Sequence, residues 1–265
     1  MGVPFDHIAT NYDAVFTNSA ISQLQRNHVW KYIEKITPQL KGFDMLELNC
    51  GTGEDAVLFS DRGFNIVATD ISEEMLKVTQ QKVQQFSMQH RISSQYLDLE
   101  SFDETSFNKK FDLIFSNFGG LNCISPESLQ ILLTKIPLAL NEGGRFIAIV
   151  MPRFCLWESL YFTGKLSFRK AFRRLSRKGV LADLNGAQIT TWYYSARQIK
   201  RWSEANLMPV ANKPIGFALP PSYLETFFMK RNGWLNRLNA AENKLNRLPF
   251  LSGWSDHYLI DLQLK

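Results

Sequence analysis

Three carboxylates close three short apolar runs: Glu47 in FDMLELN, Asp70 in NIVATD and Asp98 in SSQYLDL. Between the first two lies a run of small residues, Asn49-Cys50-Gly51-Thr52-Gly53, and Asp70 follows Glu47 by 23 positions. Small residues at the end of a strand let the backbone approach a ligand closely. A carboxylate at the tip of the next strand can accept hydrogen bonds from both ribose hydroxyls of a nucleoside, the task open to Asp70. Asp98 can accept from the amino group of adenine, with Leu97 and Leu99 walling the ring. Taken singly, each acid reads as a helix cap or a turn residue, and a glycine loop is shared by many nucleotide binders. Together, at successive strand ends, they point to one bound adenosyl group.

The elements that must hold these residues are legible in the apolar spacing. AISQLQRNHVWKYIEKI (20–36) reads as a helix ended by Pro38. Strands are expected at 43–49, 65–70, 93–99, 111–117 and 145–151, and helices at 54–62, from Ser72 onward, and at 125–140. Ser72 and Ser125 suit helix N-caps. Strand and helix alternate, which implies a parallel sheet covered on both faces, with ligands at the carboxyl ends of the strands. Beyond 152 the alternation pauses. Residues 153–180 read as helical, 190–195 as a strand, 196–207 as a helix, 208–219 as a sixth core strand, 222–247 as a helical hairpin broken near Gly233, and 257–264 as the last strand.

These features resemble the signature of class I methyltransferases that use S-adenosylmethionine (SAM), in particular the small-molecule methyltransferases. The pattern there is an acid followed by three glycines at alternate positions. Glu47, Gly51 and Gly53 match it, while Asn49 stands at the first glycine; Asn tolerates unusual backbone angles better than most residues. ATDISEEML (68–76), FDLIFSNFGGLN (111–122) and FDHIATNYD (5–13) are similar to the segments around the ribose, beside the methyl group and at the N-terminal entry. The likeness covers about residues 5–151. It implies a doubly wound α/β fold with a mostly parallel seven-stranded sheet, an antiparallel last strand and helical lid insertions. It also implies SAM as cofactor, its demethylated product S-adenosylhomocysteine, and no metal. The residues it places on the cofactor are Tyr12, Arg26, Glu47, Asn49, Gly51, Thr52, Gly53, Asp55, Asp70, Ile71, Met75, Leu97, Asp98, Leu99, Ser116, Asn117 and Phe118. Tyr12 would act as a lid and Arg26 would pair with the methionyl carboxylate. Plainer roles are a packing aromatic for Tyr12, a solvated arginine for Arg26, and favourable charge at a helix N-terminus for Asp55.

The chain divides into an entry cap (1–40), a cofactor core (41–151), a basic aromatic insertion (152–189) and the C-terminal strands with their hairpin (190–265), all one domain. Aromatic residues flank the insertion. Trp157, Tyr161, Trp192 and Tyr194, with Asn122, are candidates for an apolar or aromatic acceptor. His257 is the one candidate general base, although a hydrogen-bonded structural histidine is the commoner role. Transfer to oxygen is favoured. No Asn/Asp-Pro-Pro-Tyr-like sequence follows 111–117, which counts against exocyclic-amine methylation of nucleic acids.

Net charge is +5 over 265 residues, yet it is local. KLSFRKAFRRLSRK (165–178) holds seven basic residues and no acid, and the rest of the chain is slightly acidic. The segment reads as a solvated lid helix or as a contact for anionic lipid or an acidic carrier. Three scattered cysteines give neither a disulfide framework nor a zinc cage. No secretory signal, myristoylation pattern or membrane span is read, so a cytoplasmic protein is expected. Two rival enzymes remain: a nicotinamide-dependent oxidoreductase, since Gly51-Thr52-Gly53-Glu54-Asp55-Ala56 fits a relaxed dinucleotide fingerprint, and an RNA methyltransferase gripping phosphate through 165–178. A non-catalytic SAM-binding protein is the third alternative.

Overall fold

The computed structural model describes residues 4–184, 187–229 and 233–265. Seven strands build the main sheet: β1 (Asp44–Leu48), β2 (Asn65–Asp70), β3 (Ile92–Tyr96), β4 (Phe111–Ser116), β5 (Leu140–Val150), β8 (Leu207–Ile215) and β9 (His257–Leu264). Between β5 and β8, β6 (Val180–Leu184) and β7 (Ala187–Thr191) pair as a separate two-stranded antiparallel sheet. The order in the main sheet is β3-β2-β1-β4-β5-β9-β8. β1 to β5 pair in parallel, and β9 runs antiparallel to both of its neighbours. This is the doubly wound arrangement expected, with its antiparallel last strand.

The sheet is apolar on both faces because helices cover both. Met45, Leu113, Phe115, Ile147 and Leu259 point to one side, where they pack with Val29 and Ile33 of α1 (Ala20–Ile36), Phe59 of α2 (Glu54–Asp61) and Leu76 and Val83 of α3 (Glu73–Gln85). Leu46, Ile114, Phe146, Ala148 and Ile260 point to the other, against Leu129, Leu132 and Leu133 of α4 (Pro126–Lys135). Each set takes alternate positions, the two-residue period of a strand. Caps fix the helix starts as expected: the Ser72 hydroxyl accepts from Met75 N–H, and that of Ser125 from Ser128 N–H.

Several expected boundaries shift, for local reasons. The helix read at 125–140 ends at Lys135, and a 3-10 turn follows over Ile136–Ala139. Pro137 lacks an N–H and crowds the residue before it, so the α-helix cannot continue. β5 then begins at Leu140 rather than at 145, taking Gly143 at φ 76° through an irregularity in its pairing with β4. The single helix expected over 153–180 is two short ones, α5 (Leu156–Gly164) and α6 (Phe168–Ala171), followed by a 3-10 turn and β6. The strand expected at 190–195 stops at Thr191. Trp192 N–H donates to Asn122 O and Tyr194 N–H to Met151 O, so this stretch is held on the end of the sheet. α7 (Ala196–Ser203) carries a capping box of Ser195 and Gln198. β8 contains Pro209 and Pro214, which an edge strand tolerates. Of the hairpin at 222–247, α8 (Glu225–Met229) and α9 (Trp234–Leu245) are seen, while 230–232 lie outside the described residues. Among the described residues no helix is long and apolar enough to cross a membrane.

Candidate active site

A cavity of about 1420 Å³ opens where β1, β2 and β4 end. It exceeds the range of about 300–1,000 Å³ usual for one small ligand, so it has room for two. Its wall begins at the glycine turn. Asn49 adopts φ 51°, Gly51 φ 55° and Gly53 φ 75°, so the loop turns left-handed three times in five residues. A Cβ on Gly51 would meet nothing within 4 Å and would project into the cavity, whereas one on Gly53 would strike Thr79 of α3. Asn49 takes the place of a glycine because the structure around it is built to hold a side chain. Its amide donates to Asn117 O, it accepts from the Ser116 hydroxyl at 2.6 Å, and it fills the space left by Gly120, whose Cβ would lie 2.0 Å from Asn49 Cγ.

Asp70, on the cavity wall, is steadied through both oxygens. Oδ2 accepts from Gly51 N–H and Oδ1 from Ser72 N–H, each at 2.9 Å. Burial raises the pKa of this carboxyl, against the lowering effect of those backbone donors. Each oxygen keeps acceptor capacity for a further donor. Asp98 caps the 3-10 turn Leu99–Ser101 and lines the cavity with Ile71, Met75, Leu97 and Leu99. The ribose and adenine candidates therefore face one space.

Glu47 stands apart from that wall. It is 1% exposed, and its Oε2 has no hydrogen-bond partner among the described residues. Burial, then the negative charge of Asp55 and of Asp70, pushes its pKa well above the ordinary carboxylate value, with Arg26 pulling the other way. Asp55 is committed to a network: Arg26, the Trp30 indole N–H at 2.6 Å and the Asn117 amide at 2.9 Å all donate to it. The Arg26 guanidinium also lies 5.1 Å from the Phe118 ring centroid, and its buried Nε has no hydrogen-bond partner among the described residues. Arg26, Asp55, Asn117 and Phe118 all reach the cavity. A patch with Glu47, Asp55 and Asp70 against one arginine suits a ligand that brings a cation.

The N-terminal segment closes over this half. Asp13 accepts from the Thr52 hydroxyl at 2.6 Å and pairs with Lys82 at 2.7 Å, while Asp6 accepts from the Ser72 hydroxyl at 2.6 Å. Tyr12 is thereby set on the cavity wall, and burial raises its hydroxyl to about 12. Asp13 and Asp6 were not singled out from the sequence; their pairing with loop residues far along the chain leaves no local signal.

At the far end stand His257 and Asp256. His257 Nδ1 lies 3.3 Å from Asp256 Oδ2, off the angle of a good hydrogen bond, and the ring meets Phe118 edge-on at 5.3 Å. Asp256 is clamped by Arg174, which also binds Glu158. Burial raises the Asp256 carboxyl, but His257 and Arg174 overcome it and hold the group far below the ordinary value. Phe118, at a strained φ of 37°, thus stands between the Arg26 and His257 ends.

The acceptor aromatics read from the sequence fall elsewhere. Tyr194 is buried with its hydroxyl on Ile124 O, the Trp157 indole donates to Phe217 O, and Asn122 donates to Met151 O and Trp192 O. Neither these three nor Tyr161, Trp192, Ser116, Gly53 or Glu47 line the cavity. Tyr193 and Tyr223 do, with Ile124, Met151 and Ile189. Two arginines of the basic segment also turn inward: Arg174 is buried, and Arg173 pairs bidentately with Glu158.

A family model described as a methyltransferase domain matches residues 45–144. A protein of Bacillus subtilis (strain 168) named as a methyltransferase is 33% identical over 135 residues, 49% of this chain and 45% of that protein. The chain thus spans about half the length of that relative. The demethylmenaquinone methyltransferase of Bacillus licheniformis is 30% identical over 190 residues, 65% of this chain and 75% of the relative. Among solved structures, the CcbJ methyltransferase from Streptomyces caelestis superposes with TM-score 0.64 at 13% identity, covering 99% of this chain and 98% of that one.

Proposed function

The chain belongs to the class I SAM-dependent methyltransferases, and from that membership we propose that it methylates an oxygen of an apolar, ring-bearing small molecule. The observation that carries the proposal is the single cavity that runs from Asp70 and Asp98 past Phe118 to His257. Its residues suit the cofactor: an open cradle at Gly51, strand-end acids for a nucleoside, and a buried acidic patch for a cation. When bound, SAM supplies a methyl group already activated by a positively charged sulfur.

The chain's own residues then have separable tasks. Asp70 and Asp98 hold the nucleoside, and Tyr12 covers it. Phe118, fixed by Arg26 on one side and His257 on the other, sets where the two ligands meet. Positioning of this kind supplies several kcal/mol of barrier reduction in favourable cases. His257 accepts the proton of an acceptor hydroxyl, and the Asp256 carboxylate, 3.3 Å from Nδ1, balances the charge the ring gains. The acceptor's apolar body lies against Tyr193, Tyr223 and Ile189. The relatives named as demethylmenaquinone methyltransferases suggest an acceptor of that general class.

The nicotinamide alternative loses ground on topology. A dinucleotide fold orders its strands 3-2-1-4-5-6 in parallel, whereas here an antiparallel β9 is inserted beside β5. The deciding experiment incubates the protein with methyl-labelled SAM and a metabolite extract and identifies the labelled product by mass. Thermal stabilisation by NADH and not by SAM or S-adenosylhomocysteine would reverse the assignment.

A further inference from the structure

The α5–α6 segment carries apolar side chains on the outside of the protein. Leu166 is 79% exposed, Leu160 62% and Phe168 56%, and Phe172 and Leu175 are also exposed. Leu166 sits at φ 55°, a left-handed conformation that a branched apolar residue rarely adopts, at the turn joining the two helices. The same stretch presents Lys165, Arg169, Lys170, Arg177 and Lys178 to solvent, with no acidic residue among them. Among the described residues, Arg173 and Arg174 turn inward to carboxylates. The patch continues through Tyr161 and Phe162, whose rings meet Tyr223 at 5.8 and 6.2 Å. Tyr223 is itself half exposed and lines the cavity, so the patch borders the cavity mouth.

We propose that this face docks on an anionic lipid bilayer, with the mouth of the cavity beside the lipid. Exposed Leu and Phe would enter the acyl boundary while the surrounding cations meet acidic headgroups, the division of labour of an interfacial segment. A nucleic-acid or acidic-protein partner would use the cations but gives no role to Leu166 and Phe168. A strained, exposed leucine is costly in water and profitable at an interface. An apolar acceptor could then pass from bilayer to cavity without crossing water.

The test is co-sedimentation of the full chain with vesicles of phosphatidylglycerol and phosphatidylcholine, against phosphatidylcholine alone. Each cation near an acidic surface is worth about a five-fold factor, so the triple variant Lys165→Gln, Arg169→Gln, Lys170→Gln should partition about a hundred-fold less. Leu166→Asn gives the sharper arm, because Asn suits the left-handed turn: its melting temperature should hold or rise while vesicle binding falls. SAM affinity, measured on the same variants, should stay unchanged, which separates this proposal from the methyltransferase reading. Three results would overturn it: equal partitioning onto neutral and acidic vesicles, wild-type binding by Leu166→Asn, or tight binding to a short RNA with none to vesicles.

Discussion

Replacing Glu47 by Gln should make the protein more stable and a poorer cofactor binder at once. Glu47 is 1% exposed, its Oε2 lacks a partner among the described residues, and Asp55 and Asp70 repel its charge. Leaving a polar group buried without a partner costs about 1–3 kcal/mol. The amide keeps the shape, removes the charge and adds a donor toward neighbouring carboxylates. In a chain of this size about 1 kcal/mol moves the melting temperature by roughly 2–4 °C, so a gain of several degrees is expected at neutral pH. The pH dependence carries a definite sign. Because the folded-state pKa is raised, the folded protein holds this proton to higher pH than the unfolded chain does. Wild type therefore loses stability as pH rises from the ordinary carboxylate value through the raised one. Glu47→Gln lacks that loss, so its advantage should be absent in acid and grow toward neutrality. In the same variant, calorimetry should show weaker SAM binding, since a carboxylate that favours a cationic ligand has been neutralised. A variant that is less stable at neutral pH, or that binds SAM as wild type does, would refute the reasoning.

Asp70→Ala should weaken SAM binding by about 1.5–3 kcal/mol, the worth of hydrogen bonds to a charged group, read by calorimetry. His257→Gln should lower kcat by about 10²–10⁴ with little change in KM, read by steady-state kinetics. Arg174→Met should cost about 3–5 kcal/mol, because it leaves the buried Asp256 without its arginine while Glu158 keeps Arg173, and the melting temperature reads the loss. Asp256 is held low, so its contribution is complete above about pH 4 and fades as pH falls below that; Arg174→Met should flatten this acid dependence. Gly120→Ala should destabilise wild type yet be tolerated beside Asn49→Gly, with a coupling of about 0.5–3 kcal/mol in the double-mutant cycle.

Residues 20–151 were readable because their signals are local. Ser72 and Ser125 cap the helices they precede, alternate apolar residues mark both faces of a doubly covered sheet, and acids at strand ends mark the cavity floor. Past 152 the determinants are tertiary. Tyr193 and Tyr194 are neighbours, yet one faces the cavity and the other is buried with its hydroxyl on Ile124 O. That choice depends on the pairing of Trp192 and Tyr194 with Asn122 and Met151, which no periodicity in this segment reveals. Glu47 marks a different limit. An acid in the glycine pattern was expected to touch the cofactor, but its side chain lies behind the wall and would act through its charge.

The two kinds of arginine in the basic segment show how composition can mislead. Read as a run, 165–178 is a cationic surface. Folded, Arg174 is a buried strut whose charge is balanced by Glu158 and Asp256, and it holds Asp256 with one carboxylate oxygen 3.3 Å from His257 Nδ1. The remaining cations and the exposed leucines face outward, around a cavity mouth that the same strut helps to build. One insertion therefore links the residue proposed to take the proton with the surface proposed to meet lipid. If both proposals hold, loss of Arg174 should cut turnover even on a water-soluble acceptor, whereas loss of Leu166 should cut it only when the acceptor is presented in vesicles.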